Sequence, residues 1–261
     1  MMMNYETLQF EIRDRVACIT LNRPDAANSL NLKMTNELMQ AAIRCDSDSR
    51  VRAVMITATG KMFCAGGDLK AFAEAGDQVS VLAKQMTVSL HAAISRFARM
   101  KAPVVCAVNG TAAGGGLSMI LVADLVLAAE SSKFTLAYTR AGLVPDGSST
   151  YFLPRLVGLR RARELILTNR VLDAREALEW QLVNRVVPDD VLHEEAESLA
   201  VKLAEGPLQA HGKVKQLLAE TFSSQLETQM EEESRALSEA VSGAEAQEGI
   251  QAFLEKRVPV F

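Results

Sequence analysis

The chain has 261 residues, 49% of them hydrophobic and 23% charged, and its 28 basic and 32 acidic side chains give a formal net charge of −4. This composition excludes a chain that is disordered throughout, because it supplies enough apolar surface to form a core. The mild acidity argues against nucleic acid or an anionic membrane as the main partner. An anionic small molecule stays open, since it needs only a few local cations or helix N-termini.

The first half of the chain alternates short apolar runs, rich in β-branched residues, with longer stretches of helical periodicity. No signal peptide is predicted, because charged side chains stand among the first residues, where a leader requires an apolar stretch. Helices are predicted from about Leu32 onward and over Ser80–Arg99. Strands are predicted at Arg15–Leu21, Ala53–Thr59, Val104–Val108 and Asp124–Ala129.

The segment Ala102–Ala123 contains no charged residue and is long enough to cross a bilayer. Pro103, Asn109-Gly110 and the glycines at 114–116 interrupt it. A buried strand, a loop and a buried helix are therefore predicted instead of a membrane span.

The second half of the chain has a mainly helical pattern, with Val183–Val187 as the one predicted strand. We expect an α/β core of repeated ββα-like units over residues 1–200 and a C-terminal helical region over residues 201–261. Helices are predicted at Arg160–Thr168, Ala174–Trp180, Asp189–Glu205, Pro207–Thr221 and Gln225–Val241.

The cysteines and histidines show no metal-ligand or disulfide spacing. No cysteine pair has CxxC spacing, and none of the three histidines pairs with a cysteine at the sequence spacing of zinc ligands. No metal is predicted, and the thiols are expected to be reduced, in the core of a cytoplasmic protein. The four cysteines are Cys18, Cys45, Cys64 and Cys106.

Three glycine-containing loops, at 63–70, 109–116 and 142–147, are the candidate site, and the third carries Asp146. The first two each precede a helix, so they expose backbone N–H groups without helical partners. Two convergent N–H groups are what an oxyanion hole requires. The alternative is that the glycines only allow tight turns. Walker A, dinucleotide-binding and GxSxG patterns are absent.

Longer motifs lie in and around these loops: ITLNRPDAANSL at Ile19–Leu30, FCAGGDL at Phe63–Leu69, the stretch Ala102–Phe134, LTNRVLDAREALEWQLVNRVV at Leu167–Val187 and AFLEKRVPVF at Ala252–Phe261. With them the chain resembles the enoyl-CoA hydratase/isomerase (crotonase) superfamily over almost its whole length. The resemblance implies a crotonase (ClpP-like) spiral of ββα units with a helical C-terminal trimerisation region, assembled as a homotrimer or a hexamer. It also implies an acyl-CoA thioester substrate and no separate cofactor.

The resemblance implies that the N–H groups of Gly67 and Gly115 form the oxyanion hole for the thioester oxygen. Lys70 and Lys256 would meet the phosphates of coenzyme A, and the alternative for both is a solvated surface cation. Phe253 and Lys256 would reach the ligand from a neighbouring subunit. The full set implied for coenzyme A is Ala26, Ala27, Ala65, Gly66, Asp68, Leu69, Lys70, Gly114, Phe253 and Lys256.

The two glutamates of the hydratase pattern are missing, because the aligned positions hold Ser118 and Tyr138. Neither side chain can act as a carboxylate acid/base, which argues against standard hydration. The sequence Gly-Leu-Val-Pro-Asp at 142–146 instead resembles the branch of the epoxyphenylacetyl-CoA isomerases and Δ3,Δ2-enoyl-CoA isomerases. That resemblance implies Asp146 as the acid/base. The alternative is that Asp146 caps the helix predicted at Ser149–Leu156.

The stretch Thr150–Arg170 also resembles the 4-chlorobenzoyl-CoA dehalogenases, which use an aspartate, a histidine and a tryptophan. Asp146, His91 and Tyr138 occupy the aligned positions, so the tryptophan is absent. His91 is either a second acid/base or a helical residue at the pocket edge, and Tyr138 either bonds Asp146 or an acyl oxygen or simply packs. Double-bond isomerisation of an enoyl-CoA is the predicted reaction. The alternatives are an enoyl-CoA hydratase of fatty-acid β-oxidation, a dehalogenase-like hydrolase and a non-catalytic acyl-CoA binder.

Overall fold

Two β-sheets organise residues 5–261, the part of the chain that the computed structural model describes. Strands β1 and β9 run antiparallel to their neighbours, and the other pairings are parallel. The larger sheet has the order β1 (Leu8–Arg13), β2 (Val16–Leu21), β3 (Ala53–Ala58), β5 (Val104–Val108), β7 (Leu125–Ala129), β10 (Arg185–Val187). The smaller sheet has the order β4 (Met62–Cys64), β6 (Thr111–Ala113), β8 (Lys133–Thr135), β9 (Leu172–Asp173).

Successive strands alternate between the two sheets. The strands β3, β5 and β7 lie in the larger sheet, and the strand that follows each of them lies in the smaller one. Helical segments follow each pair, and this order confirms the predicted spiral of ββα units. These helices are α2 (Leu69–Glu74) with α3 (Val79–Arg99), then α4 (Gly115–Ile120), then α5 (Ser149–Val157).

The larger sheet is covered on both faces. In β5 the even-numbered residues face the main hydrophobic cluster, which includes α1 (Leu32–Ser47) and α3, and the odd-numbered residues face a second cluster. Helix α8 (Leu192–Ala204) closes the second cluster with side chains at four-residue spacing. Burial on both faces explains why these strands are continuously apolar in sequence. The contacts from α8 are Leu192, Ala196, Ala200 and Ala204.

The remaining helices follow the core in the order α6 (Leu159–Thr168), α7 (Ala174–Glu179), α8, α9 (Leu208–Glu220), α10 (Leu226–Val241) and α11 (Ala244–Glu255). No residue of α9 or α10 is buried, and Ala252 is the one buried residue of α11. The boundary predicted between residues 200 and 201 falls inside α8, which packs on the core to Ala204. The division into two domains stays a prediction.

Most predicted elements lie within three residues of their observed bounds, and Ala102–Ala123 forms the expected strand, loop and buried helix. The expectation of one strand in the second half was wrong, because β9 pairs with β8 there. With two residues, β9 is too short to show a periodic pattern. Within residues 5–261, no helix is long and apolar enough to cross a membrane.

Candidate active site

Three neighbouring parallel strands of the smaller sheet deliver the three glycine-containing loops. The strands β4, β6 and β8 run parallel, so their carboxyl ends meet at one edge although they are far apart in sequence. A Cβ atom on Gly66 would lie 2.9 Å from the carbonyl oxygen of Ala113 and 3.2 Å from the nitrogen of Gly115. With a φ of +93°, Gly66 is a position that requires glycine.

The N–H groups of Gly67 and Gly115 make no hydrogen bond within residues 5–261. Gly115 is the first residue of α4, so its N–H lacks an intrahelical acceptor. Gly67 pairs with Leu30 in a bridge whose two hydrogen bonds use the neighbouring peptide groups. The adjacent donors are occupied, because the Gly66 N–H points at Cys64 Sγ (3.4 Å) and the Gly114 N–H bonds Thr135 (3.1 Å). Two unused donors on two touching loops can bind a developing oxyanion.

The Asp146 carboxylate lies between Tyr138 and His91. The Tyr138 hydroxyl donates to Asp146 Oδ1 at 2.5 Å, and His91 Nε2 lies 3.7 Å from Oδ2. The Asp146 side chain is 30% exposed. It caps no helix, since Ser148 stands at the N-cap of α5 and makes no side-chain cap. The capping interpretation of Asp146 is therefore wrong, and the carboxylate is available for chemistry.

The Tyr138 hydroxyl connects this carboxylate to the Gly115 end of α4. Its oxygen lies 3.7 Å from the position that a Cβ on Gly115 would occupy, and 3.3 Å from Ser118 Oγ. Burial, followed by the nearby Asp146 charge, raises the pKa of Tyr138 well above its ordinary value. The hydroxyl thus stays protonated and acts as a donor to Asp146, one of the roles left open by the sequence.

His91 lies on α3 at the edge of the site. Its Nε2 atom accepts a hydrogen bond from the Gly147 N–H at 3.3 Å, so in the neutral ring the proton is assigned to Nδ1. His91 and Ser148 also line a cavity of about 1940 Å³ between α3, α5 and the helices α9–α11. The structure therefore places His91 against the Asp146 loop, and both sequence interpretations of this residue fit that position.

Two of the motifs that resemble the family's nucleotide groove lie side by side. The Ala65 N–H bonds the Ala27 carbonyl at 3.0 Å, and Ala26 ends the short 3-10 turn that precedes Ala27. Leu69 and Lys70 are exposed at the start of α2. These residues form one surface next to the glycine loops, and their role toward coenzyme A stays a prediction.

Asp68 has structural partners in this surface. It is the N-cap of α2, accepting from the Ala71 N–H at 3.2 Å, and it pairs with Arg23 at 3.0 Å. Burial acts to raise the pKa of Asp68, but the hydrogen bonds from Ala71 and Arg23 outweigh it and lower the pKa. Sequence reasoning missed Arg23, because no local pattern joins it to a partner 45 residues away.

Phe253 and Lys256 lie at the end of α11 and are exposed, Phe253 by 81%. Within residues 5–261, no hydrogen bond or ion pair joins either residue to the other predicted site residues. The structure therefore brings together the glycines, Tyr138, His91 and Asp146, and leaves the two C-terminal residues outside that group.

Comparisons with known proteins identify the family of the chain. Residues 11–261 match the enoyl-CoA hydratase/isomerase family. The chain is 39% identical over 260 residues to a Rhodobacter capsulatus protein named "Probable enoyl-CoA hydratase", with 99% of each chain covered. It is 35% identical over 257 residues to the 1,2-epoxyphenylacetyl-CoA isomerase of Escherichia coli, with 98% of each chain covered.

Two further relatives extend the comparison. The chain is 34% identical over 252 residues to 4-chlorobenzoyl coenzyme A dehalogenase-2 of an Arthrobacter species, covering 96% of this chain and 91% of the relative. The crystal structure of an enoyl-CoA hydratase from Bacillus anthracis matches with a TM-score of 0.92 and 33% identity, covering 98% of this chain and 99% of that one. The fold, the glycine loops and these relatives together show that the chain belongs to the enoyl-CoA hydratase/isomerase (crotonase) superfamily.

Proposed function

We propose that this enzyme isomerises an acyl-CoA thioester by moving a carbon–carbon double bond, with Asp146 as the acid/base. One observation carries the proposal. The Asp146 carboxylate is bonded by Tyr138 at 2.5 Å, next to the Gly115 loop, and does not cap α5. A carboxylate at that position can reach carbon atoms of a thioester whose oxygen lies in the oxyanion hole.

The thioester oxygen would accept hydrogen bonds from the N–H groups of Gly67 and Gly115. Loss of a proton from the carbon next to the carbonyl turns the thioester into an enolate, and the new charge collects on that oxygen. Donors already in place stabilise this charge, and each is worth about 3 kcal/mol by analogy with other oxyanion holes.

Asp146 would move the proton between two carbons. For a 3-enoyl-CoA, the carboxylate takes a proton from C2, and the electron pair of that bond delocalises over C2, C4 and the thioester oxygen. The protonated Asp146 then returns the proton to C4, which leaves the double bond between C2 and C3. One carboxylate is sufficient, because it ends the cycle in its starting protonation state.

Hydration is the second candidate function. The approach of His91 to Asp146 at 3.7 Å supports it, because two acid/base groups could activate a water and protonate the substrate. The names of the Rhodobacter and Bacillus relatives also favour it. A dehalogenase-like hydrolase would use the same pair, but Tyr138 stands where the resemblance expects tryptophan.

The test gives purified protein a 3-enoyl-CoA and, separately, the matching 2-enoyl-CoA, and follows both products chromatographically. We expect interconversion of the two, and a loss of about 10²- to 10⁴-fold in Asp146→Asn with coenzyme A binding retained. Asp77→Asn, an exposed carboxylate outside the site, is the control and should keep full activity. Accumulation of a 3-hydroxyacyl-CoA would favour the hydratase. Binding without turnover would favour an acyl-CoA binder, and full activity of Asp146→Asn would overturn the proposal.

We also infer that the protein is cytoplasmic and works as a homotrimer or a hexamer, and that Phe253 and Lys256 serve a neighbour's coenzyme A groove. The four free, buried cysteines support a reducing compartment. Large apolar side chains on the last helices are exposed, which supports burial against other copies. Light scattering should give at least three times the chain mass of 28.3 kDa. The most exposed of these side chains on α9–α11 and the segment after α9 are Leu218, Phe222, Leu226, Leu237, Phe253 and Leu254.

A further inference from the structure

Ser118 lies in α4, the helix that begins with the proposed oxyanion donor Gly115, and it contacts the loop that carries Asp146. It lies three residues after Gly115 in α4 and is fully buried. Its Oγ donates to the main-chain carbonyl of Asp146 at 2.9 Å. From the sequence, Ser118 was only the site of a missing glutamate, and the structure gives it a contact to the proposed acid/base.

Besides Ser118, the loop around Asp146 is held by Tyr138, which bonds the carboxylate, and by His91 of α3, which accepts from the Gly147 N–H at 3.3 Å. No helix or strand is formed between Ala141 and Ser149. The Asp146 carbonyl also accepts from the N–H and the Oγ of Ser149, at 3.1 and 2.8 Å, but these donors belong to the same stretch of chain. Of the three donors, Ser118 is the one that ties the loop to α4.

The contact between Ser118 and the loop is also tight. Gly147 has a φ of +58°, and a Cβ atom there would lie 2.8 Å from Ser118 Cβ and 3.3 Å from its Oγ. The main chain of the loop therefore rests directly on the serine. A longer side chain at 118 would push the loop, and the Asp146 carboxylate with it, away from α4.

We propose that Ser118 is a positioning residue for the isomerisation. Gly115 is the first residue of α4, and Ser118, one turn later in the same helix, bonds the loop that carries Asp146. Ser118 thereby fixes the separation between the Asp146 carboxylate and the Gly115 N–H. Tyr138 holds the carboxylate and Ser118 holds the main chain of the same residue. This inference rests on the proposed function, since Asp146 is the group positioned.

The test is Ser118→Ala. We expect kcat to fall about 10- to 100-fold, because a shift of roughly 1 Å at a reacting group has an effect of that size. The KM for the 3-enoyl-CoA and the affinity for coenzyme A should change by less than about twofold, because Ser118 lies outside the groove proposed for the nucleotide.

Ser132→Ala is the matched control. Ser132 is also buried, and its Oγ donates to the Val108 carbonyl at 2.7 Å, outside the candidate site. Both variants lose a serine-to-carbonyl hydrogen bond, and Ser118→Ala also loses the 3.3 Å contact with the Tyr138 hydroxyl. Both should lower Tm, while only Ser118→Ala should lower kcat. Gly147→Ala is the second variant. It displaces the same loop without removing the serine hydroxyl, and it should lower kcat as well.

The outcomes distinguish failure of the positioning role of Ser118 from failure of the proposed function. If Ser118→Ala keeps kcat within twofold of the wild type, or if Ser132→Ala loses as much, the positioning role is overturned. If the positioning role fails in this way while Asp146→Asn is inactive toward the enoyl-CoA substrates, the proposed function still stands. If Asp146→Asn is fully active, the proposed function itself fails and the positioning role fails with it.

Discussion

Large apolar side chains are mostly buried in the ββα core, whereas many are exposed on the helices after residue 204. In the core, both faces of the larger sheet are covered, and large residues such as Phe63 and Phe134 are fully buried. In the C-terminal helices, residues of the same kind are exposed, for example Leu237 by 66% and Phe253 by 81%. The core is complete within one chain, whereas the C-terminal helices present surface that another copy can cover.

Lys215 makes one of the polar contacts between the two regions. Lys215 of α9 is 9% exposed, and its Nζ lies 2.7 Å from Asp124 and 3.1 Å from the carbonyl oxygens of Phe97 and Ala102. Asp124 in turn accepts from the N–H of Val104 at the start of β5. This polar contact therefore helps to anchor the C-terminal helices to the core, against which Leu208 of α9 also packs.

Among the changes that compare the two regions, the largest effect should come from the loop contact inside the core. In Gly66→Ala the new Cβ would meet the Ala113 carbonyl at 2.9 Å and separate the two oxyanion loops, so kcat/KM should fall about 10²- to 10³-fold. Steady-state kinetics check this. Gly76→Ala is the control, because Gly76 also has a positive φ, of +50°, but nothing within 4 Å of its Cβ position. Equal losses in both variants would mean that backbone strain alone is responsible.

The next effect should come from the anchor between the two regions. Lys215→Met leaves Asp124 without its cation and two carbonyl groups without their donor, so the free energy of unfolding should fall by about 2–3 kcal/mol. Urea denaturation measures it. Lys70→Met removes a lysine with 86% exposure and should change stability by less than about 0.5 kcal/mol. A neutral Lys215→Met would show that the helices do not depend on this contact.

A charge on the exposed apolar face of α10 should have a smaller effect on stability, but it should change the mass of the assembly. Leu237→Glu in α10 would place a carboxylate in the proposed contact between copies, so light scattering should show dissociation with little change in Tm. Val88→Glu, on α3 with 68% exposure, should leave the mass unchanged. An unchanged mass for Leu237→Glu would remove this face from the interface.

The smallest effect concerns pH. The pKa of Tyr138 is raised by burial and by Asp146, so the folded protein keeps this hydroxyl neutral above about pH 10, where an unfolded tyrosine ionises. Its contribution to stability is complete below that pH and decreases as the pH rises further. Ultraviolet titrations of the wild type and Tyr138→Phe should coincide until alkaline unfolding. A tyrosinate signal near pH 10 that Tyr138→Phe lacks would contradict this.

The sequence predicted five of the six strands of the larger sheet and most helices, because long apolar runs and helical periodicity are local signals, but it missed β1. The strands of the smaller sheet are only two or three residues long and depend on their neighbours, so no pattern predicted β4, β6 or β8. Helix α11 was not predicted either.

In the candidate site, the sequence indicated the glycine loops and Asp146 because glycine and carboxylate types are visible in the chain. It could not indicate what the Asp146 carbonyl bonds, or that Arg23 reaches Asp68. Those contacts join a side chain to a group far away in sequence, and residue type alone does not determine such pairs.

The four buried thiols have a practical consequence. Burial raises the pKa of Cys18 to about 11 and those of Cys45 and Cys64 to about 12, and it also raises the pKa of Cys106. Since only the thiolate reacts readily, a thiol reagent at neutral pH should modify each cysteine only when its surroundings open. Cys18 lies in the cluster covered by α8, and Cys64 lies in the loop at 63–70, where its Sγ is 3.4 Å from the Gly66 nitrogen. Labelling followed by peptide mass analysis would thus compare how often the sheet under α8 and the loop at 63–70 open in the unmodified protein.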